Sequence, residues 1–251
     1  MKAETHKAYS LHELAAFVKY LAPILEKGIL LALNGEIGSG KTTLSKYLIN
    51  YLTSTRIEEI SSPTFNLYQT YSNQDLNISH YDFYRIDTPH ELEELDISDS
   101  IKNNVTIIEW ANKFPSVLPK DHIEIQIINK SDKRDYKIFF HGKYKRNILA
   151  HKNRLNFLSN LGLNIRKITN MRGDASKRKY FRVYDGVQNF VLMDSSEDVR
   201  KKTKTTKSIK DFIIIDKYLD NIGLRVPKIY GYDIKNQLIL EEDLGLTTYN
   251  E

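Results

Sequence analysis

Residues 30–49 pass from an apolar run through a glycine-rich turn into a helix-like run, and the turn reads Gly35-Glu36-Ile37-Gly38-Ser39-Gly40-Lys41-Thr42. This is the G-x-x-x-x-G-K-[ST] spacing in a strand–turn–helix context, and it points to an α/β fold built around a phosphate-binding loop. The three glycines let the backbone fold tightly enough to aim its N–H groups at polyphosphate oxygens. Lys41 then reaches the β- and γ-phosphates, and the Thr42 hydroxyl becomes a magnesium ligand where the positive end of the following helix faces the anion. A nucleoside triphosphate with Mg2+ is the implied ligand. The bland alternative is a glycine-rich turn that binds nothing, and the motif does not say what the nucleotide is used for.

The chain has 251 residues, 41% of them hydrophobic, which suffices for one large core or two ordinary ones. With no cysteine, disulfides, thiolate metal sites and cysteine nucleophiles are excluded. No apolar run approaches the ~18–20 residues that span a bilayer, and the first residues lead into no signal-peptide core, so a soluble cytoplasmic protein without a membrane role is expected. The net charge of +5 is unevenly spread. Residues 1–140 hold 15 Lys and Arg against 19 Asp and Glu, a net of −4, leaving +9 on residues 141–251. Two modules are indicated, and the basic one suits either a solvated surface or contact with tRNA or a phosphorylated ligand.

Ser10-Leu11-His12-Glu13 is a capping-box pattern that predicts a helix to about residue 26. Strands are expected at 29–34, 66–71, 77–84, 105–110, 122–128 and 135–140, with helices from the phosphate loop to about 51 and over 89–95. Asn73-Gln74-Asp75 reads as a hairpin loop and Ser61-Ser62-Pro63-Thr64-Phe65 as a turn. The mainly parallel or mixed sheet so formed closes an α/β domain over 1–145. A polar basic connection at 143–147 precedes a small α+β module over 146–251. Its expected elements are helices at 148–161 and 208–221, strands near 180–184, 189–193 and 237–241, and a solvated run at 200–207.

Outside the loop, Asp82 and Glu109 each sit at a strand end, where a carboxylate could hold magnesium or orient an attacking water, and Thr64 could approach the γ-phosphate. Taken singly, an acid at a strand end is usually a solvated or turn-forming residue; together, after a complete phosphate loop, they outline a hydrolytic site. Trp110, the only tryptophan, reads as packing surface. Arg85 suits either a phosphate or an ion pair with Asp87 or with Glu91, Glu93 and Glu94.

Four segments, residues 35–43, Ser62-Pro63-Thr64-Phe65, His80-Tyr81-Asp82-Phe83-Tyr84-Arg85 and Glu109-Trp110, match in order and spacing the tRNA threonylcarbamoyladenosine biosynthesis ATPase family TsaE, also called YjeE. The first ~145 residues thus resemble that family. The resemblance implies an ATPase that joins TsaB- and TsaD-like partners and supports threonylcarbamoyl transfer to adenosine 37 of tRNA, meeting tRNA only through the complex. It makes Lys41 and Thr42 binders of phosphate and magnesium and has Thr43 hold the nucleotide. Thr64 would lie in a switch-like segment, Asp82 would serve the metal or water, and Glu109 would be required for hydrolysis. One departure is Asp96, where the family usually has glycine.

Residues 172–183, Val191-Leu192-Met193-Asp194, Val226-Pro227 and Leu240-Glu241-Glu242-Asp243-Leu244-Gly245 resemble the amino-terminal lobe of aminoglycoside-phosphotransferase-like amino-sugar kinases. A kinase of this type also needs an H-x-D-x-x-x-x-N-like catalytic loop, which these 251 residues lack, and Phe190-Val191-Leu192-Met193-Asp194 holds no lysine. The second module is therefore expected to have no kinase activity alone, with a separate chain completing the lobe or the lobe being a remnant. Two other functions stay open: a small-molecule phosphotransferase, and a non-catalytic protein whose partners read its nucleotide state.

Overall fold

The computed structural model describes residues 4–54, 57, 59–73, 76–171, 178–197 and 208–245. Among the sequence expectations, Gln74 and Asp75, residues 172–177 of the kinase-like motif and the 200–207 run lie outside the described residues. The chain divides into two compact units, 1–148 and 149–251.

Unit 1 is a seven-stranded sheet in the order β1-β7-β6-β2-β5-β4-β3. Its strands are β1 (Glu4–Ala8), β2 (Ile29–Asn34), β3 (Tyr68–Ser72), β4 (Asn77–Asp82), β5 (Val105–Glu109), β6 (Ile123–Asn129) and β7 (Arg134–Phe140). β6, β2, β5 and β4 run parallel, while β1–β7, β6–β7 and β3–β4 are antiparallel pairs. All six residues of β2 are buried, as its unbroken apolar run requires for a central strand covered on both faces. Ile29, Leu31 and Leu33 pack with Leu14, Phe17, Val18 and Leu21 of helix α1 (Leu11–Leu21) and Leu44, Leu48 and Ile49 of helix α2 (Lys41–Thr53). Leu30 and Ala32 lie on the other face with Tyr81, Phe83, Ile86, Leu92 and Phe114. Each fully buried leucine contributes about 1.5–3 kcal/mol, so the strand that launches the phosphate loop is held firmly from both sides.

Several boundaries differ from expectation. α1 stops at Leu21 because Pro23 turns the chain into a 3-10 segment, Ala22–Ile24. Ser10 caps it by accepting from Glu13 N at 3.3 Å, but the Glu13 carboxylate takes the Tyr9 N–H at 2.6 Å rather than closing the box on Ser10. The acidic helix shortens to α3 (His90–Glu93), and helix α4 (Ile97–Asn103) follows it. Asp96 between them has φ 44°, the left-handed conformation that favours glycine. The connection expected at 143–147 is instead the start of helix α5 (Tyr144–Asn160). Its first residue, Tyr144, is buried in the first unit's core, and its hydroxyl donates to Gly28 O at 3.1 Å.

Unit 2 is a five-stranded antiparallel sheet in the order β11-β12-β10-β9-β8. Its strands are β8 (Lys167–Asn170), β9 (Lys179–Tyr184), β10 (Asn189–Asp194), β11 (Ile229–Asp233) and β12 (Leu238–Glu242). Phe157 and Leu158 of α5 cover one face with Phe181, Val183, Leu192 and Leu240. Ile209 and Ile213 of helix α6 (Ile209–Asn221) cover the other with Met193 and Ile239. A capping box between Ser208 and Asp211 starts α6.

Candidate functional site

The site forms at the carboxyl ends of adjacent parallel strands. β2 delivers the loop, and the register sets Leu33 beside Glu109 and Asp82 beside Glu109, so both acids stand at the edge where the loop begins. Gly40, the residue before α2, has φ 99°, and a Cβ on Gly35 would meet Ile127 O and Ser39 Oγ, each at 2.7 Å. Both positions are thus closed to larger side chains, and the first turn of α2 has no side-chain cap, leaving its N–H groups for an anion.

Lys41 is buried, 5% exposed, with Nζ donating to Gly35 O at 2.8 Å and Glu36 O at 2.9 Å. The ammonium also lies 3.6 Å from the centre of the Trp110 ring. Burial holds its pKa below the ordinary lysine value, with Glu109 and Asp82 opposing the shift. Thr42 Oγ1 donates to Glu109 Oε2 at 2.9 Å. The other Glu109 oxygen accepts from Ser45 Oγ at 3.2 Å and lies 2.8 Å from His80 Nε2. Asp82 Oδ2 accepts from Thr64 Oγ1 at 2.7 Å and from Ser62, while Oδ1 accepts the Tyr84 N–H at 2.9 Å. Thus Lys41, Thr42, Asp82, Glu109 and Thr64 are brought together. Glu36 and Ile37 are exposed on the loop, Gly38 is at its tip with φ 74°, Ser39 is buried with Oγ unpartnered among the described residues, and Thr43 is exposed in the first turn of α2.

The loop residues fit a nucleotide's phosphates: uncapped helix N–H groups, a buried ammonium held by two loop carbonyls beneath the Trp110 ring, and a buried Ser39 hydroxyl without a hydrogen-bond partner among the described residues. A hydroxyl and two carboxylates suit magnesium.

Sequence reasoning missed four contributors. His80 and Ser45 were legible in principle, since His80 is two residues before Asp82 on the same face of β4 and Ser45 is one turn beyond Thr42 on α2. Trp110 is more than packing surface: at φ 58° it carries its ring over Lys41. Arg134, from β7, donates through Nε to Ser39 O at 2.9 Å and lies against Gly40, a long-range contact without a local signal. Arg85 lies over the Phe65 ring at 4.1 Å, while Asp87 faces Lys113 at 3.9 Å, so the ion pair considered between Arg85 and Asp87 is replaced by these contacts.

A phosphate loop between a central parallel strand and a helix, faced by acids from neighbouring strand ends, places unit 1 among P-loop NTPase folds. A crystal structure of Bacillus subtilis YdiB has the same fold, at 23% identity and a TM-score of 0.50 over 62% of this chain and 97% of that one. The family model for threonylcarbamoyl adenosine biosynthesis protein TsaE matches residues 8–137, and the chain belongs to that family. The tRNA threonylcarbamoyladenosine biosynthesis protein TsaE of Rickettsia bellii is 37% identical over 119 residues, 47% of this chain and 82% of that protein. Its namesake from Haemophilus influenzae is 32% identical over 140 residues, 53% of this chain and 87% of that protein. No helix among the described residues is long and apolar enough to cross a membrane.

Proposed function

We propose that unit 1 is a magnesium-dependent ATPase that supports N6-threonylcarbamoyladenosine formation at position 37 of tRNA, acting in the cytoplasm through TsaB- and TsaD-like partners. The observation that carries this reading is Glu109, 1% exposed, bonded to Thr42 of the phosphate loop and braced by Ser45 and His80. Gly35 to Gly40 would cradle the phosphates through backbone N–H groups, with Thr43 beside them. Lys41 would turn from its loop carbonyls to the β- and γ-phosphates. Thr42, Asp82 and Glu109 would hold Mg2+, which when bound supplies charge neutralisation at the γ-phosphoryl group. Glu109 would also orient the attacking water, and His80 would keep its carboxylate aimed. Thr64 and Ser62, tied to Asp82, would report the γ-phosphate to partners by shifting the segment that carries exposed Phe65.

The resemblance of unit 2 to a kinase amino-terminal lobe is supported by where its motifs fall. Residues 180–183 and 191–194 lie on the paired strands β9 and β10, and Glu241 and Glu242 end the next strand, β12. No phosphotransfer is assigned to it alone, since these 251 residues hold no H-x-D-x-x-x-x-N segment.

The test is ATP hydrolysis with and without TsaB and TsaD, together with modified-adenosine formation over many turnovers. Partner-dependent hydrolysis is expected, and Lys41→Ala should weaken nucleotide binding at least tenfold. Hydrolysis indifferent to partners, with no modification, would favour the phosphotransferase, to be tried on amino sugars. Full function in Glu109→Ala and Asp82→Ala would favour a non-catalytic nucleotide switch.

A further inference from the structure

The β6–β7 pair places a second constellation away from the phosphate loop. Its register joins Ile123 to Phe140, so His122, just before β6, and His141, just after β7, stand opposite each other, tied by His141 N donating to His122 O at 2.9 Å. Glu124 is two residues beyond His122, and the two-residue period of a strand puts it on the same face. Their imidazoles stack at 4.1 Å between centroids and 9° between planes, and His141 Nε2 is 3.2 Å from Glu124 Oε2. One ligand atom from each of the three residues lies within 4.8 Å of the other two.

Outer contacts already orient these ligands. His122 Nδ1 lies 2.7 Å from Pro119 O, an acceptor only, so Nδ1 carries the proton and Nε2 presents a bare lone pair. Glu124 Oε1 accepts from Asn34 Nδ2 at 3.0 Å, and Asn34 is itself fixed by accepting the Asn112 N–H at 2.9 Å. A carbonyl behind one histidine and an amide behind the carboxylate are the supports that metal ligands commonly have. Glu124 and His141 side chains remain 30% and 26% exposed, which leaves an entry path.

We propose that His122, Glu124 and His141 form a binding site for a borderline divalent cation of the Zn2+ type, separate from the magnesium at the phosphate loop. Two imidazoles and one carboxylate select zinc over magnesium, which prefers oxygen ligands alone, and water would complete a tetrahedral shell. Donors about 2.0–2.1 Å from zinc stand roughly 3.4 Å apart, so closure from the observed spread needs only side-chain rotation that unstacks the rings. His141 surrenders the proton it shares with Glu124, either to solvent or by moving it to Nδ1, and Nε2 becomes the ligand. The bound ion would clamp the start of β6 to the end of β7.

The full chain, freed of metal by a chelator, is titrated with Zn2+ against a chromophoric competitor, and Co2+ is bound in parallel for its visible spectrum. One equivalent should bind, with a tetrahedral Co2+ spectrum. Affinity should fall at least tenfold in His122→Asn and in His141→Asn, and about tenfold in Asn34→Ala, while Glu109→Gln leaves it unchanged. Because a variant can fail to fold, histidine 15N spectra of the wild type provide a second reading: Zn2+ should shift His122 and His141 selectively. No zinc binding, equal binding by the folded His122→Asn/His141→Asn double variant, or shifts confined to other histidines would overturn the site.

Discussion

Each unit buries a glutamate at a strand end, and the two are treated in opposite ways. Glu109 in unit 1 is 1% exposed, with Thr42 and Ser45 hydroxyls and the His80 imidazole on its two oxygens. Glu241 in unit 2 is 8% exposed, and its Oε2 has no hydrogen-bond partner among the described residues. Burial pushes the Glu241 carboxyl up to about 7, Asp216 adding to the shift and Arg178 opposing it. Unit 2 can satisfy a buried acid: Asp194 accepts from Arg154 Nη1 at 2.7 Å and from the Ser196 N–H at 2.9 Å. The contrast therefore lies in the donors supplied to each acid, not in burial. Converging hydroxyls and an imidazole build a site, whereas a buried acid without them favours its neutral form.

The contrast can be broken most strongly at Arg154. Arg154→Met leaves Asp194 buried without its cation and should cost unit 2 about 3–5 kcal/mol. Far-UV circular dichroism would report that loss, while fluorescence of Trp110, the only tryptophan and a residue of unit 1, should keep its denaturation midpoint. A shared midpoint shift would show that the units unfold together. Glu109→Ala should lower partner-stimulated hydrolysis by about 10²–10³-fold, the scale of losing one aligned polar group at a reacting centre, with nucleotide affinity unchanged. Equal stimulated rates in wild type and variant would remove Glu109 from the reaction.

Glu241 sharpens the comparison through pH. Its folded pKa is raised above the ordinary 4.5, so its contribution to stability is complete below pH 4.5 and lost as pH rises to about 7. The loss is at most about 3 kcal/mol over that window, and Glu241→Gln should flatten the stability profile there. The smallest effect is expected at Asp96, whose φ of 44° strains a non-glycine residue. Asp96→Gly should stabilise unit 1 by about 1 kcal/mol, read as a higher thermal midpoint without a change in hydrolysis.

Periodicity revealed the central strands because they are covered on both faces. β2, β4 and β5 carry their own apolar signal, and the two acids of the site lie at the ends of β4 and β5. The strands that sequence reasoning missed, β1, β8 and β11, all lie at sheet edges. Glu4–Ala8 alternates between half-buried and exposed for four residues, and β11 contains Gly231, so neither segment announces a strand before a partner is present. The short helix α4 was missed because seven residues give under two helical turns of pattern.

The sequence by itself determined the phosphate loop, the two acids and the TsaE resemblance, because these depend on residue types at short, fixed spacings. Tertiary structure decided which groups face those acids. His80 and Ser45 meet at Glu109 across 29 and 64 residues, Arg134 reaches Ser39 across 95, and His122 meets His141 only through the β6–β7 register. Such contacts are set by strand order and register, which arise when the whole core closes and which no local window of residues encodes.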